Sequence, residues 1–254
     1  MALLNVERVS KRFGGLDALK EVTFAVHQGQ IKAVIGPNGA GKTTLFNLIS
    51  GSYRPTEGQL LLSGTELVGR APHRICRMGV GRTFQQSLVF DDMSVLDNVA
   101  VGRYARTRVG VLSAALSLPR HRREERGITM AAHEALRRVG LDRKAEEMAG
   151  NLPMGERHLL EIARSLASEP KLLLLDEPAA GLNDEETARL ADTVRKIRSE
   201  GVTVLLVEHD MTFVMDISDE VVVLDYGRKI AEGPPIMIQD NEEVIKAYLG
   251  EELD

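Results

Sequence analysis

The segment Gly36-Pro37-Asn38-Gly39-Ala40-Gly41-Lys42-Thr43-Thr44 restricts this chain more than any other. The apolar run Ile31-Lys32-Ala33-Val34-Ile35 leads into it, and Leu45, Leu48 and Ile49 follow at helical spacing. Strand, glycine-rich loop and helix, in that order, are the context of a phosphate-binding P-loop and call for an α/β body. Gly36, Gly39 and Gly41 let the backbone curl with its N–H groups inward, where a side chain would block the phosphates. The N-terminus of the following helix adds partial positive charge at the same place. Lys42 can reach the β- and γ-phosphates, and the Thr43 hydroxyl can ligate Mg²⁺. A glycine-rich turn with an incidental lysine is the competing reading, and it leaves the flanks unexplained. The loop implies a nucleoside triphosphate; it does not say what the nucleotide drives.

With 254 residues the chain can form one large domain, or a core with a subdomain, around a sizeable buried core. Its 43% hydrophobic and 27% charged content are those of an ordinary soluble globular protein. A net charge of −5 argues against a generic nucleic-acid binder. The single cysteine, Cys76, permits no internal disulfide and fits a reducing compartment. Nothing near it resembles a Cys-His arrangement, so it reads as a plain structural thiol. The N-terminus, Met1 to Glu7, lacks the basic region and apolar core of a signal peptide. No apolar run approaches the roughly 18 residues of a membrane span. Work at a membrane is therefore expected on its surface, through a partner.

Along the chain, Leu3–Val9, Val22–Val26 and Gln59–Leu62 read as short strands with turns at Gly14-Gly15, Gln28-Gly29 and Pro55–Gly58. They predict a small antiparallel layer beside the main sheet. From about Ser87 to Asn151 helical spacing takes over, opened by Val95, Val99 and Val101 and continued by Ala131, Ala135, Leu136 and Val139. This predicts an inserted helical subdomain. Residues 103 to 126 hold seven Arg against two Glu; a solvated face is the ordinary reading, and contact with anionic head groups or a partner the sharper one. Lys171–Asp176, Val202–Val207 and Glu220–Asp225 then read as buried parallel strands. Asp184 to Ser199 carries Leu190, Val194 and Ile197 at helical spacing. The fold class is thus a P-loop core with a largely parallel sheet, an antiparallel β layer and an inserted helical subdomain.

A P-loop site needs a second acid for the Mg²⁺ shell. Asp176 ends a buried strand and can serve the metal, while Glu177 can polarise a water aimed at the γ-phosphate. Here the residues reach a family. Leu172 to Pro178, Leu-Leu-Leu-Leu-Asp-Glu-Pro, resembles the Walker B segment of ATP-binding-cassette ATPases. The family's other marks follow its order. Gln85 matches the glutamine at the junction of core and helical subdomain, Ala180-Gly181-Leu182-Asn183 the D-loop, His209 the switch histidine, and Phe13 the aromatic that stacks on adenine. The resemblance implies ATP contacts from Phe13, Gly36, Asn38, Gly39, Ala40, Gly41, Lys42, Thr43, Thr44 and Gln85. It implies Mg²⁺ held by Thr43, Gln85 and Asp176, and catalysis by Glu177, His209 and Lys42. It also implies ATP trapped between two head-to-tail cassettes, each P-loop facing its partner's signature segment.

That signature departs from the family's Leu-Ser-Gly-Gly-Gln, since this chain has Leu152-Pro153-Met154-Gly155-Glu156. Pro153 offers neither hydroxyl nor N–H to a γ-phosphate, although its fixed φ suits the first turn of a helix. The Gly155 N–H and the helix dipole remain. The helical insert, with Val109–Leu112 and Arg120–Glu124, and the tail Ile230–Pro235 and Val244–Gly250 look like the larger ATPase of branched-chain amino-acid importers. Related cassettes for urea, amides and lipopolysaccharide share the tail. A non-transport ATPase of the repair type would need a long coiled coil, and there is no heptad run of that length. The implied segments are 1–86 and 156–230 for the ATPase core, 87–155 for the helical subdomain and 231–254 for a C-terminal extension. The implied partners are a second ATPase subunit (the atypical signature favours a paralogous heterodimer over a homodimer), membrane permease subunits and, indirectly, a solute-binding protein, but no nucleic acid. The implied location is the cytoplasmic face of the inner membrane.

Overall fold

Every residue of β3 (Ile31–Ile35), β7 (Leu172–Asp176) and β8 (Thr203–Val207) is buried, as strands covered on both faces must be. The computed structural model describes residues 1–83, 89–106 and 119–249, with 119–123 and 249 described by backbone alone. These strands join β6 (Val80–Arg82), β9 (Glu220–Asp225) and β10 (Arg228–Gly233) in a six-stranded sheet of order β10-β9-β3-β8-β7-β6. All neighbours run parallel except β9 and β10, which form a hairpin.

Alternate residues of the sheet serve two separate cores, because successive side chains of a strand point to opposite faces. Ile31, Ala33, Ile35, Leu173, Leu175, Val204 and Leu206 face one cluster. Val34, Leu172, Leu174, Leu205 and Val207 face the other. Helices cover the first: α3 (Val95–Arg103), α4 (Pro119–Val139), α5 (Met154–Leu166), α6 (Asp184–Ser199) and α7 (Met211–Ile217). The second is closed by α1 (Lys42–Ile49), α2 (Pro72–Met78) and an antiparallel sheet of order β2-β1-β4-β5. That sheet comprises β1 (Ala2–Phe13), β2 (Leu16–His27), β4 (Glu57–Leu62) and β5 (Thr65–Glu66). The antiparallel layer is the one expected. Its first hairpin runs further than the apolar pattern showed, to Phe13 and Leu16, through polar residues whose register is broken by bulges.

In the helical layer α3 packs on α4 and α5. Val95 and Val99 are buried as their spacing predicts. On α4 Ala132 and Ala135 are buried, while Ala131, one position round the helix from Ala132, is only half-buried. Of the arginine-rich run, Arg103 and Arg106 pair with Glu169 at 2.9 and 3.8 Å, which anchors this end of the helical layer rather than leaving it solvated. Residues 107–118 lie outside the described residues, including Val109–Leu112. After β10, α8 (Pro235–Gln239) and α9 (Glu242–Leu249) bury Ile238 and Val244 in the first core. Among the described residues no helix is long and apolar enough to cross a membrane.

Lys32 is the one charge inside β3. Its Nζ donates to the Ala25 carbonyl and to Glu232 Oε1, each at 2.6 Å, and pairs with Glu220 Oε2 at 2.9 Å, so it ties β3 to β2, β10 and β9. The Lys32 bond holds Glu220 below the ordinary glutamate value of 4.5. Burial pushes Glu232 up, but hydrogen bonds from Lys229 and Lys32 outweigh it and the net direction is down. Depressed carboxylates stabilise above their ordinary value, and that stability is lost as pH falls through the lowered folded values. Lys32→Met should therefore lower the unfolding temperature most near neutral pH, with the gap to wild type closing below pH 4.5. Thermal unfolding across that range checks this, and a gap that widens on acidification would contradict it.

Candidate functional site

Chain segments of interest leave the sheet at one edge, the carboxyl ends of its parallel strands, where open α/β sheets bind ligands. The glycine-rich loop follows β3, Glu177 follows β7 and Glu208-His209 follows β8. Val34 is in register with Val207, and Val207 with Asp176, so the loop and the acids start from adjacent points.

The loop's glycines have a more local cause than the sequence suggests. At Gly36, φ is +147° and a Cβ would lie 2.0 Å from the Leu224 carbonyl oxygen. At Gly41, φ is +105° and a Cβ would lie 2.6 Å from the Ala18 oxygen. Neighbouring backbone, before any phosphate, excludes a side chain at both. Gly41 is also the N-cap of α1, with no side chain capping its first N–H groups. That leaves them directed at the loop's mouth, a ready anion site. Lys42 folds back over the loop, its Nζ donating to the Gly36 carbonyl at 2.5 Å and the Pro37 carbonyl at 2.8 Å.

Asp176 is buried at the end of β7 and accepts on Oδ2 from Arg82 Nη2 at 2.9 Å. Arg82 Nη1 also donates to Asn47 Oδ1 and Ser50 Oγ at 2.8 Å, so one guanidinium joins β6 to β7 and to the end of α1. Burial pushes the Asp176 carboxyl up, with Arg82 opposing and the Glu177 charge adding. Asp176 Oδ1 is buried and accepts no hydrogen bond among the described residues. This carboxylate oxygen and the hydroxyl of Thr43, an exposed residue at the start of α1, are hard-oxygen donors of the kind Mg²⁺ takes, with the remaining positions left to phosphate and water. The residues thus fit the ion. Sequence reasoning missed Arg82, although a basic residue on a buried strand just before Thr83 was a signal. Arg82→Ala should destabilise the fold by about 3–5 kcal/mol, because it strands a buried carboxylate. Denaturant unfolding checks this, and a loss below about 1 kcal/mol would mean that the pair does not hold Asp176.

Glu177 adopts φ +49°, uncommon for a non-glycine residue, and its N–H donates to the Val207 carbonyl at 2.9 Å. The turn swings its carboxylate off the strand, so that Oε2 lies 3.9 Å from His209 Nδ1. His209 is exposed, and the residue before it, Glu208, is wholly buried. Glu208 Oε1 accepts from the Ala179 N–H at 2.7 Å, and Oε2 accepts from the His209 and Asp210 N–H groups at 3.0 and 3.4 Å.

Ala180 to Asn183 form the turn between Glu177 and α6. The Ala180 N–H donates to Glu177 O at 3.2 Å, and Asn183 caps α6 in a reciprocal box with Glu186. Leu152, Pro153, Met154, Gly155 and Glu156 sit at the start of α5. Pro153 is the N-cap, with φ −57° and ψ 160°, and its carbonyl accepts the first helical bond, from the Arg157 N–H at 3.0 Å. Glu156 is tied to Lys144 at 2.6 Å, and a Cβ on Gly155 would lie 2.7 Å from Glu186 Oε1, which seats α5 closely on α6. Phe13, at the end of β1, meets Tyr53 edge-on at 5.3 Å, with Lys11 Nζ 4.8 Å from its ring centre. Tyr53 carried no periodic signal. Gln85 lies outside the described residues.

Comparison with known proteins accords with this geometry. The pattern of the ABC transporter family matches residues 19–180. That of the branched-chain amino acid ATP-binding cassette transporter matches residues 228–254. The chain is 46% identical over 250 residues to the high-affinity branched-chain amino acid transport ATP-binding protein BraF of Pseudomonas aeruginosa, covering 98% of each. It is 43% identical, over the same span and coverage, to LivG of Escherichia coli, which bears the same description. Among solved structures, the ADP conformation of an ATP-binding cassette of an ABC transporter superposes with a TM-score of 0.87 at 30% identity, over 98% of this chain and 99% of that one. The chain belongs to the ATP-binding-cassette family of ABC transporter ATPases.

Proposed function

We propose that this chain is the ATP-hydrolysing subunit of a membrane importer of branched-chain amino acids. Likeness over the full length to BraF and LivG carries the reading. The match to the C-terminal pattern supports the same subfamily. The partners are a second, paralogous cassette, membrane permease subunits and, through them, a solute-binding protein, and the chain works on the cytoplasmic face of the membrane. Residues 1–86 and 156–230 act as the ATPase core, 87–155 as the helical subdomain and 231–254 as its extension.

The chemistry is in-line attack of water on the γ-phosphorus of ATP. The new bond is from water oxygen to phosphorus, the bond to the β,γ-bridging oxygen breaks, and the products are ADP and phosphate. Phe13, with Tyr53 beside it, supports the base. Asn38, Gly39, Ala40, Gly41, Thr43 and Thr44 surround the phosphates with loop and helix N–H groups, and Gly36 sets the turn. Lys42 leaves its carbonyl partners for the β- and γ-phosphates. Thr43, Asp176 and Gln85 would hold Mg²⁺, which supplies charge neutralisation at the phosphates. Glu177 Oε2 accepts the proton of the attacking water, and His209 holds water and γ-phosphate in line. The signature at Leu152–Glu156 caps the partner's nucleotide with the Gly155 N–H and the dipole of α5, and Ala180–Asn183 face the partner across the dimer.

Uptake of labelled leucine into cells lacking this chain tests the assignment. The wild-type chain should restore uptake and Glu177→Gln should not. Restoration by Glu177→Gln, or undiminished uptake without the chain, would remove it.

A further inference from the structure

Two loops of the site meet on one buried carboxylate. Glu208 divides its oxygens between them: Oε1 takes the Ala179 N–H, in the turn that runs from Glu177 to Asn183, and Oε2 takes the N–H groups of His209 and Asp210. The side chain is wholly buried, where a carboxylate carries a heavy desolvation cost. Capping the His209 turn alone would need only a short Ser, Asn or Asp. A longer carboxylate is required if the two turns must be held at a fixed separation. The hydrogen bonds to its carboxylate come from backbone N–H groups of both loops, with His209 Nδ1 at 3.7 Å from Oε2. On the other face, the Glu177 N–H is fixed to the Val207 carbonyl, one residue before Glu208. Glu177, the turn after it and His209 therefore share one small frame, in which the Glu208 carboxylate hydrogen-bonds to the backbone of both loops.

We infer that Glu208 is a positioning residue for ATP hydrolysis, which holds the His209 backbone against the Glu177–Asn183 turn so that movement of one reaches the other. The inference rests on the reading of Glu177 and His209 as the γ-phosphate groups. It adds a route between subunits. The far end of that turn, Ala180–Asn183, faces the second cassette in the proposed dimer, so closure there sets the placement of His209.

Glu208→Gln keeps the shape but turns one oxygen into an NH₂ donor that faces backbone N–H groups, so one loop is released. With the full chain assembled with its partner subunits, this variant should lose about 10²-fold in kcat, the scale of a misplaced catalytic group, with ATP affinity within about threefold. A double-mutant cycle with His209→Ala separates positioning from general loosening. If Glu208 acts through His209, Glu208→Gln should cost little further in the His209→Ala background. Multiplying effects in the cycle, or a Glu208→Gln rate within about threefold of wild type, would overturn the inference. Normal turnover by His209→Ala alone would instead overturn the reading beneath it. Should Glu208→Gln prove unfolded, Glu208→Asp keeps the charge but is one methylene too short to bridge both loops, and the same cycle is run with it. Loss of kcat that vanishes in the His209→Ala background is again the expected result, and a multiplicative loss the contrary one.

Discussion

Glu177→Gln is expected to bind ATP as the wild-type chain does and to hydrolyse it about 10²- to 10⁴-fold more slowly, the usual contribution of a general base. The substitution is nearly isosteric and leaves the backbone frame intact: the Glu177 N–H keeps the Val207 carbonyl, and the Ala180 N–H keeps the Glu177 carbonyl. What changes is Oε2, the oxygen 3.9 Å from His209 Nδ1, which becomes unable to accept a full proton. The glycine-rich loop follows a different strand, β3, so affinity should survive. Single-turnover hydrolysis beside equilibrium ATP binding checks this. Turnover near the wild-type rate would take Glu177 out of the mechanism.

Lys42→Ala should fail in the opposite way, at binding. Its Nζ is held over the loop by the Gly36 and Pro37 carbonyls at 2.5 and 2.8 Å. Charge-assisted hydrogen bonds to phosphate are worth roughly 1.5–3 kcal/mol, so ATP should bind about 10- to 150-fold more weakly. The empty chain should remain folded, because the glycines, not the lysine, fix the loop: the Leu224 and Ala18 carbonyls stand where Cβ atoms would go. A titration with Mg-ATP, read beside thermal unfolding of the nucleotide-free protein, separates the two effects. Undiminished affinity would count against the loop as the phosphate site.

Much of this was legible in the residues because burial and backbone geometry leave periodic traces. The apolar runs within Lys171–Asp176 and Val202–Val207 could only be covered on both faces, and the strands Leu172–Asp176 and Thr203–Val207 are. The helix from Asp184 to Ser199 has the limits its pattern implies, with Leu190, Val194 and Ile197 buried. Residues whose meaning lies in a distant partner left no such trace. Arg82 matters because Asp176, Asn47 and Ser50 converge on it, and Glu208 because Ala179 donates to it from another strand's loop. A lone charge before a motif reads the same whether it ends in water or in an ion pair. The outer part of the first hairpin was invisible for a related reason: it is held by backbone pairing between polar residues such as Arg12 and Asp17, not by an apolar stripe.

On the proposed reading, the nucleotide site of this chain is one half of a site completed by a second cassette. The most direct measurement is the mass of Glu177→Gln in solution by light scattering, with and without Mg-ATP, alone and mixed with the paralogous ATPase subunit. Mass should double with ATP, in the mixture above all, and fall back when ATP is removed. ATP bound at full occupancy with the mass unchanged in both samples would contradict it.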